Sequence, residues 1–376
     1  MRRRGLSLIA GLAAVSMLVS ACGSAGNAPA GNSGDAAESG TSAKSEASGE
    51  NSGGAGGVLN LYTWDGMFPQ EILDGFTKDT GIKIQYSNFE YDEDMLARLE
   101  QTGGGDYDIV IADDYILETV NQKGLAQKLD RDRIKGYDGI DPRYQKLFYD
   151  PEDAYDIPWG AGIPTIVYNP EEVDIEINAF GDLWDPSLSD NVAMIGNPRV
   201  VNGFTLMSLG YDMNTEEKNE LEEAGKKLLE LAPNIRAITD SNTQDLLLSG
   251  EAAAAFLYTS QATTALVTDP SLKQVYPSEG LGFGTMGIFI PSKAPNADAA
   301  YQFIDYLLDG QHAADCFAYM GYYSTIQAAD AYLPEDMREY LVLPEGKTGV
   351  PVQNISNDAT DIHTRIWTEF QKACGG

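Results

Sequence analysis

Apolar residues recur along this chain with two periods, one of two residues and one of about 3.6, and segments of the two kinds alternate. Val58-Leu59-Asn60-Leu61-Tyr62-Thr63 alternates as a strand does. Pro69 then opens a helical pattern with Ile72, Leu73 and Phe76 on one face, closed by Gly81. Ile82 to Tyr86 reads as a second strand and Asp92 to Gln101 as a helix. Tyr107-Asp108-Ile109-Val110-Ile111-Ala112 reads as a short strand covered on both faces. This β-α-β-α-β succession predicts a parallel sheet with helical crossovers.

A second set of such units follows from Ile163. Asn214 is expected to begin a helix, with Glu217 at the capping-box position and Leu221, Ala224, Leu228 and Leu231 at helical spacing. Ala252 to Tyr258 and Gly287 to Ile290 read as buried strands, and the C-terminal third as mostly helical. The fold class is therefore α/β with two lobes. Residues 58–163 and about 285–335 make the first, and about 164–284 with 336–376 the second. Sheets of this kind bind ligands outside the carboxyl ends of their strands. Those ends carry Trp64-Asp65, Asp113-Asp114-Tyr115 and Tyr258-Thr259.

Ahead of these units lies sequence of another kind. Arg2-Arg3-Arg4 is followed by an apolar run from Leu6 to Val19 that is too short for a permanent membrane helix, the pattern of a signal peptide. It ends on Val19-Ser20-Ala21-Cys22, which resembles the bacterial lipobox. Residues 1–22 are read as a lipoprotein signal with Cys22 lipidated, the alternative being a plain secretory signal with an incidental cysteine. Residues 23–57 are nearly all Gly, Ala, Ser and Asn, with Thr41 their one β-branched residue. Such a segment cannot bury enough apolar surface to offset its chain entropy and is expected to act as a flexible tether.

Charge narrows the partners. Fifty-seven acidic residues stand against 25 basic ones, for a formal charge of −32. Nucleic acid is excluded, because a phosphate backbone requires a basic face. Cations are attracted, within a screening length of about 10 Å, although acidity also simply keeps an exported protein in solution. Beyond Cys22 there are Cys316 and Cys374, which could pair in an oxidising exterior or remain two buried thiols.

The usual reaction chemistries lack material. His312 and His363 are the only histidines, which leaves little for histidine triads or multi-histidine metal sites. Gly346-Lys347-Thr348 ends like a phosphate loop, but the upstream glycine position is Leu341. Gly282-x-Gly284-x-x-Gly287 has dinucleotide-loop spacing, yet it precedes an apolar strand and reads as a turn-rich strand entry. Asp113 and Asp114 are the one carboxylate pair suited to general acid and base roles, and neighbouring side chains at a strand end diverge, one capping the next helix. Neither a cofactor nor a metal is expected.

Several of these segments together carry a family likeness. Leu61-Tyr62-Thr63-Trp64, Pro69, and Phe76-Thr77-Lys78-Asp79-Thr80-Gly81-Ile82-Lys83 are similar to the start of spermidine/putrescine-binding proteins of polyamine ABC importers. Tyr107-Asp108-Ile109-Val110 with Tyr115, Asp182-Leu183-Trp184, Leu209-Gly210-Tyr211, Gly250-Glu251 and Pro277-x-Glu279-Gly280 continue the likeness in order over nearly all of residues 58–376. The resemblance implies a type II periplasmic-binding-protein-like fold, each lobe a mainly parallel sheet flanked by helices, closing on its ligand through hinge crossovers. It also implies aromatic faces that grip a methylene chain and carboxylates that accept from ammonium groups. By position, Trp64, Tyr115, Tyr258 and Gln353 match family cleft residues. A permease partner, a monomeric state and a place at the outer face of the membrane follow from the same likeness.

The chain also departs from the family. Asn197, Val200 and Met286 stand where carboxylates are usual, Gly284 where a tryptophan is, and Gly66 where an acidic residue follows the first cleft tryptophan. Asp65, Asp113, Asp114 and Asp240 stand where the family more often has hydroxyl residues. Asp65 and Asp240 read equally as caps, and Arg199 either as a receiver of a ligand carboxylate or as a surface residue. Three functions compete: an importer's binding subunit for a polyamine or similar cation, a binder of a zwitterionic or neutral solute such as a small peptide or osmolyte, and an extracellular hydrolase using Asp113 or Asp114.

Overall fold

The computed structural model describes residues 57–375 apart from Ser241 and Thr348. Cys22, its signal segment and the tether up to residue 56 lie outside the described residues. In chain order the elements are β1 Val58–Thr63, α1 Gln70–Thr80, β2 Lys83–Asn88, α2 Asp92–Thr102, β3 Ile109–Asp113, α3 Asp114–Gln122, β4 Asp156–Gly162 and β5 Thr165–Tyr168. Then come β6 Val192–Met194, α4 Pro198–Ser208, α5 Lys218–Leu229, β7 Ile235–Ile238, α6 Thr243–Leu248, β8 Ala254–Leu257, α7 Thr259–Thr268 and β9 Lys273–Val275. β10 Gly282–Phe289, α8 Ala297–Leu307, α9 Gly310–Met320, α10 Arg338–Leu341, β11 Val350–Pro351 and α11 Asn357–Ala373 complete the chain.

The first sheet runs β11-β10-β3-β1-β2, with β4 on the other side of β10. β1 is parallel to β2 and β3, as the β-α-β-α-β pattern requires, while β10 runs antiparallel to β3 and β4. Strand alternation sends Leu59 and Leu61 to a core shared with Phe76, Phe303 and Phe317, and Tyr62 to one shared with Leu99, Val110 and Phe289. Asp108, fully buried, fixes the entry to β3: its Oδ2 accepts from the Asn60 amide at 2.8 Å and from Asn60 Nδ2 at 2.9 Å. The second sheet, β7-β6-β8-β5-β9, is likewise mixed, with β6 parallel to β7 and β8 and β5 antiparallel to β8 and β9. Its separate core centres on Phe180, Phe204 and Phe256, with ring centroids 4.9 to 5.4 Å apart.

The chain passes between the sheets three times, at residues 163–164, 276–281 and 342–356. A small cluster of Tyr144, Ala161, Ile163, Leu281, Phe283, Tyr323 and Leu343 packs these crossings. Thr259, at the start of α7, braces the first: its Oγ1 accepts from the Ile163 amide at 2.7 Å and donates to the Ile163 carbonyl at 2.8 Å.

Two boundaries differ from the sequence reading. The helix expected from Asn214 starts four residues later, at Lys218, because the Asn214 side chain is drawn away to Arg199 and to the Gln353 amide. The glycines read as an entry to a strand are the strand itself, β10, and space explains them. A Cβ on Gly282 would meet Phe204 at 2.9 Å, and one on Gly287 would meet Leu117 at 2.5 Å and Asp156 Oδ2 at 2.8 Å.

Cys316 and Cys374 are free thiols, which removes the alternative of a disulfide between them. Cys316 is buried in the first lobe's core, whereas Cys374 packs against that of the second.

Candidate functional site

The carboxyl ends of β1, β3 and β8 carry the residues that the sequence singled out. At the end of β1, Trp64 is half-buried against Phe89 with ring centroids 5.1 Å apart, and its carbonyl accepts from the Tyr86 hydroxyl. Asp65 beside it is exposed and accepts from Asn88 Nδ2 at 3.1 Å. At the end of β3 the two acids diverge. Asp114 is 3% exposed and takes the amides of Tyr115 at 2.8 Å and Thr285 at 3.0 Å. Asp113 is half-buried, occupies the N-cap position of α3 and makes no side-chain cap bond.

A third acid stands against this pair. Asp92, the first residue of α2, is 4% exposed; its Oδ1 accepts from the Asp113 amide at 3.2 Å and its Oδ2 from the Tyr115 hydroxyl at 3.5 Å. The same hydroxyl donates to Glu93 Oε1 at 3.2 Å. Burial, followed by the charge of Asp113, pushes the Asp92 carboxyl well up from its ordinary range. Asp113 is raised by burial and then by Asp114 and Glu93. Burial takes Asp114 to about 7 against the pull of its two amides. The Tyr115 hydroxyl is raised by burial and the surrounding carboxylates, so it remains a donor at every physiological pH.

From the second lobe, Tyr258 stands at the N-cap of α7, with its amide donating to Gln261 Oε1 at 3.1 Å. Burial, and then the charge of Asp240, raises its hydroxyl, on which Asp113 of the first lobe also weighs. Asn197 caps α4, accepting from the Val200 amide at 3.1 Å. Asp240 is exposed and accepts from the Gly196 amide at 2.8 Å. Its carbonyl takes Gln261 Nε2 at 2.7 Å, which joins Asp240, Gln261 and Tyr258 in one chain of bonds. Tyr322, which follows α9 and packs against the first lobe's core, has its hydroxyl raised by burial and feels the charge of Asp113.

The structure places Trp64 and Asp65 at the end of β1, Asp113, Asp114 and Tyr115 at the end of β3, and Asn197, Asp240 and Tyr258 in the second lobe, the last two joined through Gln261. Three expected residues lie elsewhere in contact terms. Met286 is 6% exposed and packs into the first lobe's core beside Gly160, although on β10 it is the register partner of Asp113. Arg199 donates to the Met213 carbonyl and to Asn214 Oδ1, each at 2.6 Å, within the second lobe, while its buried Nε has no partner. Burial lowers it to about 10. Gln353 is exposed and contacts this assembly through its backbone: its amide donates to Asn214 Oδ1 at 3.0 Å.

Asp92, Glu93 and Tyr322 were not legible as site residues. Asp92-Glu93-Asp94 at a helix start reads as ordinary complementation of the helix dipole, and only the packing of α2 beside the end of β3 reveals another use. Among the described residues, no group of three or more His, Cys, Asp or Glu side chains is arranged to hold a metal ion.

The family model for bacterial extracellular solute-binding proteins matches residues 71–341. This chain belongs to that family. A spermidine/putrescine-binding periplasmic protein of Escherichia coli is 30% identical to this solute-binding protein over 77% of its chain and 84% of the relative's. That of Salmonella typhimurium is 29% identical over 85% and 92%. The spermidine/putrescine ABC transporter substrate-binding protein of Streptococcus pneumoniae, solved in complex with calcium and HEPES, has a TM-score of 0.77 at 29% identity, over 85% of this chain and 99% of that one. These relatives are solute-binding proteins and not enzymes. None of the described helices of this solute-binding protein is long and apolar enough to cross a membrane.

Proposed function

We propose that the protein captures a polyamine, or a related small organic cation, between its lobes and delivers it to an ABC permease, without catalysing a reaction. Its place would be at the outer face of the membrane, as a monomer anchored through lipid on Cys22. The observation that carries the ligand assignment is the concentration of acids at the end of β3, where the Tyr115 hydroxyl serves both Asp92 and Glu93, Asp92 accepts from the Asp113 amide, and Asp114 follows in the chain. An ammonium group donates to several carboxylate oxygens at once, and the faces of Trp64, Tyr115 and Tyr258 suit methylene groups and cationic charge. Arg199, the group that would favour a zwitterion, already donates to Met213 and Asn214.

Isothermal titration with spermidine, putrescine and a panel of amino acids tests this reading. Binding of at least one polyamine is expected, and silence for both while a neutral or zwitterionic solute binds would overturn it. Trp64→Ala is expected to weaken polyamine binding by about 1 kcal/mol or more, the range of an aromatic face over a cation. An unchanged affinity would assign Trp64 to packing against Phe89 alone.

A further inference from the structure

The turn that carries Trp64 and Asp65 is anchored at both ends and open in the middle. β1 leads into it, and beyond it Met67 and Phe68 are buried in the first lobe's core, Phe68 against Phe303 with ring centroids 5.6 Å apart. Asp65 and Gly66 between these anchors are exposed. Gly66 takes the left-handed region at φ 73°, and no atom lies within 4 Å of where its Cβ would stand. Backbone conformation, not space, therefore calls for glycine at this point.

The neighbouring strand β2 and the residue after it meet this turn with three side chains. Tyr86 and Asn88 pair in register with Leu61 and Thr63 and, being two residues apart, share a face of the sheet. The Tyr86 hydroxyl donates to the Trp64 carbonyl and accepts from the Met67 amide at 3.4 Å. One oxygen thus spans the first and fourth residues of the turn and supplies a partner to a backbone group at each. Asn88 Nδ2 donates to Asp65 Oδ1 at 3.1 Å, and Phe89 packs on the Trp64 ring at 5.1 Å. Asp65 consequently has a tether of its own, while the backbone of Trp64 is held by Tyr86. The one proton that the Tyr86 hydroxyl can donate is spent inside the protein.

We infer that Tyr86 is a positioning residue for ligand capture: its hydroxyl fixes the turn from Trp64 to Met67, and so the orientation in which the indole meets the ligand, without itself touching the ligand. That role rests on the reading of the ligand as a cation gripped by the Trp64 face. An indole attracts a cation over its ring face, so a turn free to shift loses that contact while the lobe stays folded. Tyr86→Phe removes the oxygen and keeps the ring, which lies 6.3 Å from that of Phe68.

Putrescine titrated into the full chain, its Tyr86→Phe and Trp64→Ala variants and the double variant tests this. Tyr86→Phe is expected to raise Kd about three- to fivefold, and no further than Trp64→Ala does. In the Trp64→Ala background the same change is expected to move Kd by less than about 1.5-fold, because an effect that runs through the indole vanishes with it. An unchanged Kd in Tyr86→Phe overturns this role. So does an equal loss in both backgrounds, which would mark a general structural effect. Gly66→Ala strains the same turn without altering Tyr86 and carries the test if Tyr86→Phe fails to fold: a weakened Kd is expected, and an unchanged one overturns the need for a fixed turn. The near-UV circular dichroism owed to Trp64, taken as the difference between each protein and its Trp64→Ala counterpart, needs no ligand and is expected to shrink in Tyr86→Phe. If neither putrescine nor spermidine binds the unaltered protein, the cation reading falls. That difference then decides alone whether Tyr86 orients the indole, and an unchanged band overturns it.

Discussion

Arg199→Ala is expected to destabilise the protein by about 3 kcal/mol, read from urea unfolding, while changing polyamine affinity by no more than about twofold. The guanidinium makes two hydrogen bonds of 2.6 Å inside the second lobe, to the Met213 carbonyl and Asn214 Oδ1. Bonds to a charged donor contribute about 1.5–3 kcal/mol each, and their loss leaves acceptors unpaired. Asn214 also accepts from the Gln353 amide and donates to the Pro351 carbonyl at 2.9 Å, so the change spreads into the third crossing between the sheets. The opposite pattern, lost binding with unchanged stability, would assign Arg199 to the ligand and revive a carboxylate-bearing solute.

Asp156→Asn is expected to stabilise the protein at pH 8 by about 2 kcal/mol and to have little effect near pH 4. Asp156 is 3% exposed on β4, its Oδ2 has no donor, and its side chain meets that of Asp150. Burial, and then the charge of Asp150, push its carboxyl well above the ordinary range. The sign follows from proton counting. From the unfolded value near 4 up to the raised folded value, the native state holds a proton that the unfolded state has lost, so stability falls as pH rises, by about 1.4 kcal/mol per unit for one group. Below that window both states are protonated and the term vanishes. An amide removes the ionisation and leaves in place the bond from the Asp156 backbone amide to Asp150 Oδ2 at 3.3 Å. Equal destabilisation by the variant at pH 5 and pH 8 would refute this account.

Much of the fold was legible because its signals are local. Pro69 and Gly81 bracket α1 as the sequence required, with Gly81 in the left-handed region at φ 75°. Leu221, Ala224, Leu228 and Leu231 are buried at the spacing that announced α5. What failed locally failed through partners distant in sequence: Asn214 was a plausible helix start until Arg199 and Gln353 claimed its side chain. The site shows the same division. Trp64, Asp113, Tyr115 and Tyr258 were singled out because strand ends of an α/β sheet are where ligands bind, and they do stand at the ends of β1, β3 and β8. Asp92 was hidden because its partner, the Asp113 amide, is 21 residues away and belongs to another element. Met286 stands opposite Asp113 on β10 and is nonetheless buried in the core, a degree of burial that residue type and position alone do not reveal.

The acids of the cleft are divided unequally. Asp65, Asp92, Glu93, Asp113 and Asp114 belong to the first lobe, and Asp240 faces them from the second. Encounter and retention therefore have different physical owners. With most of the acids in the first lobe, the association rate constant of a cationic ligand is expected to depend mainly on that wall and to fall with ionic strength. The second lobe adds Tyr258 and Asn197 after arrival, contacts that salt screens little, and so governs the dissociation rate constant. Capture and release can be tuned separately, by substitutions in different halves of one chain.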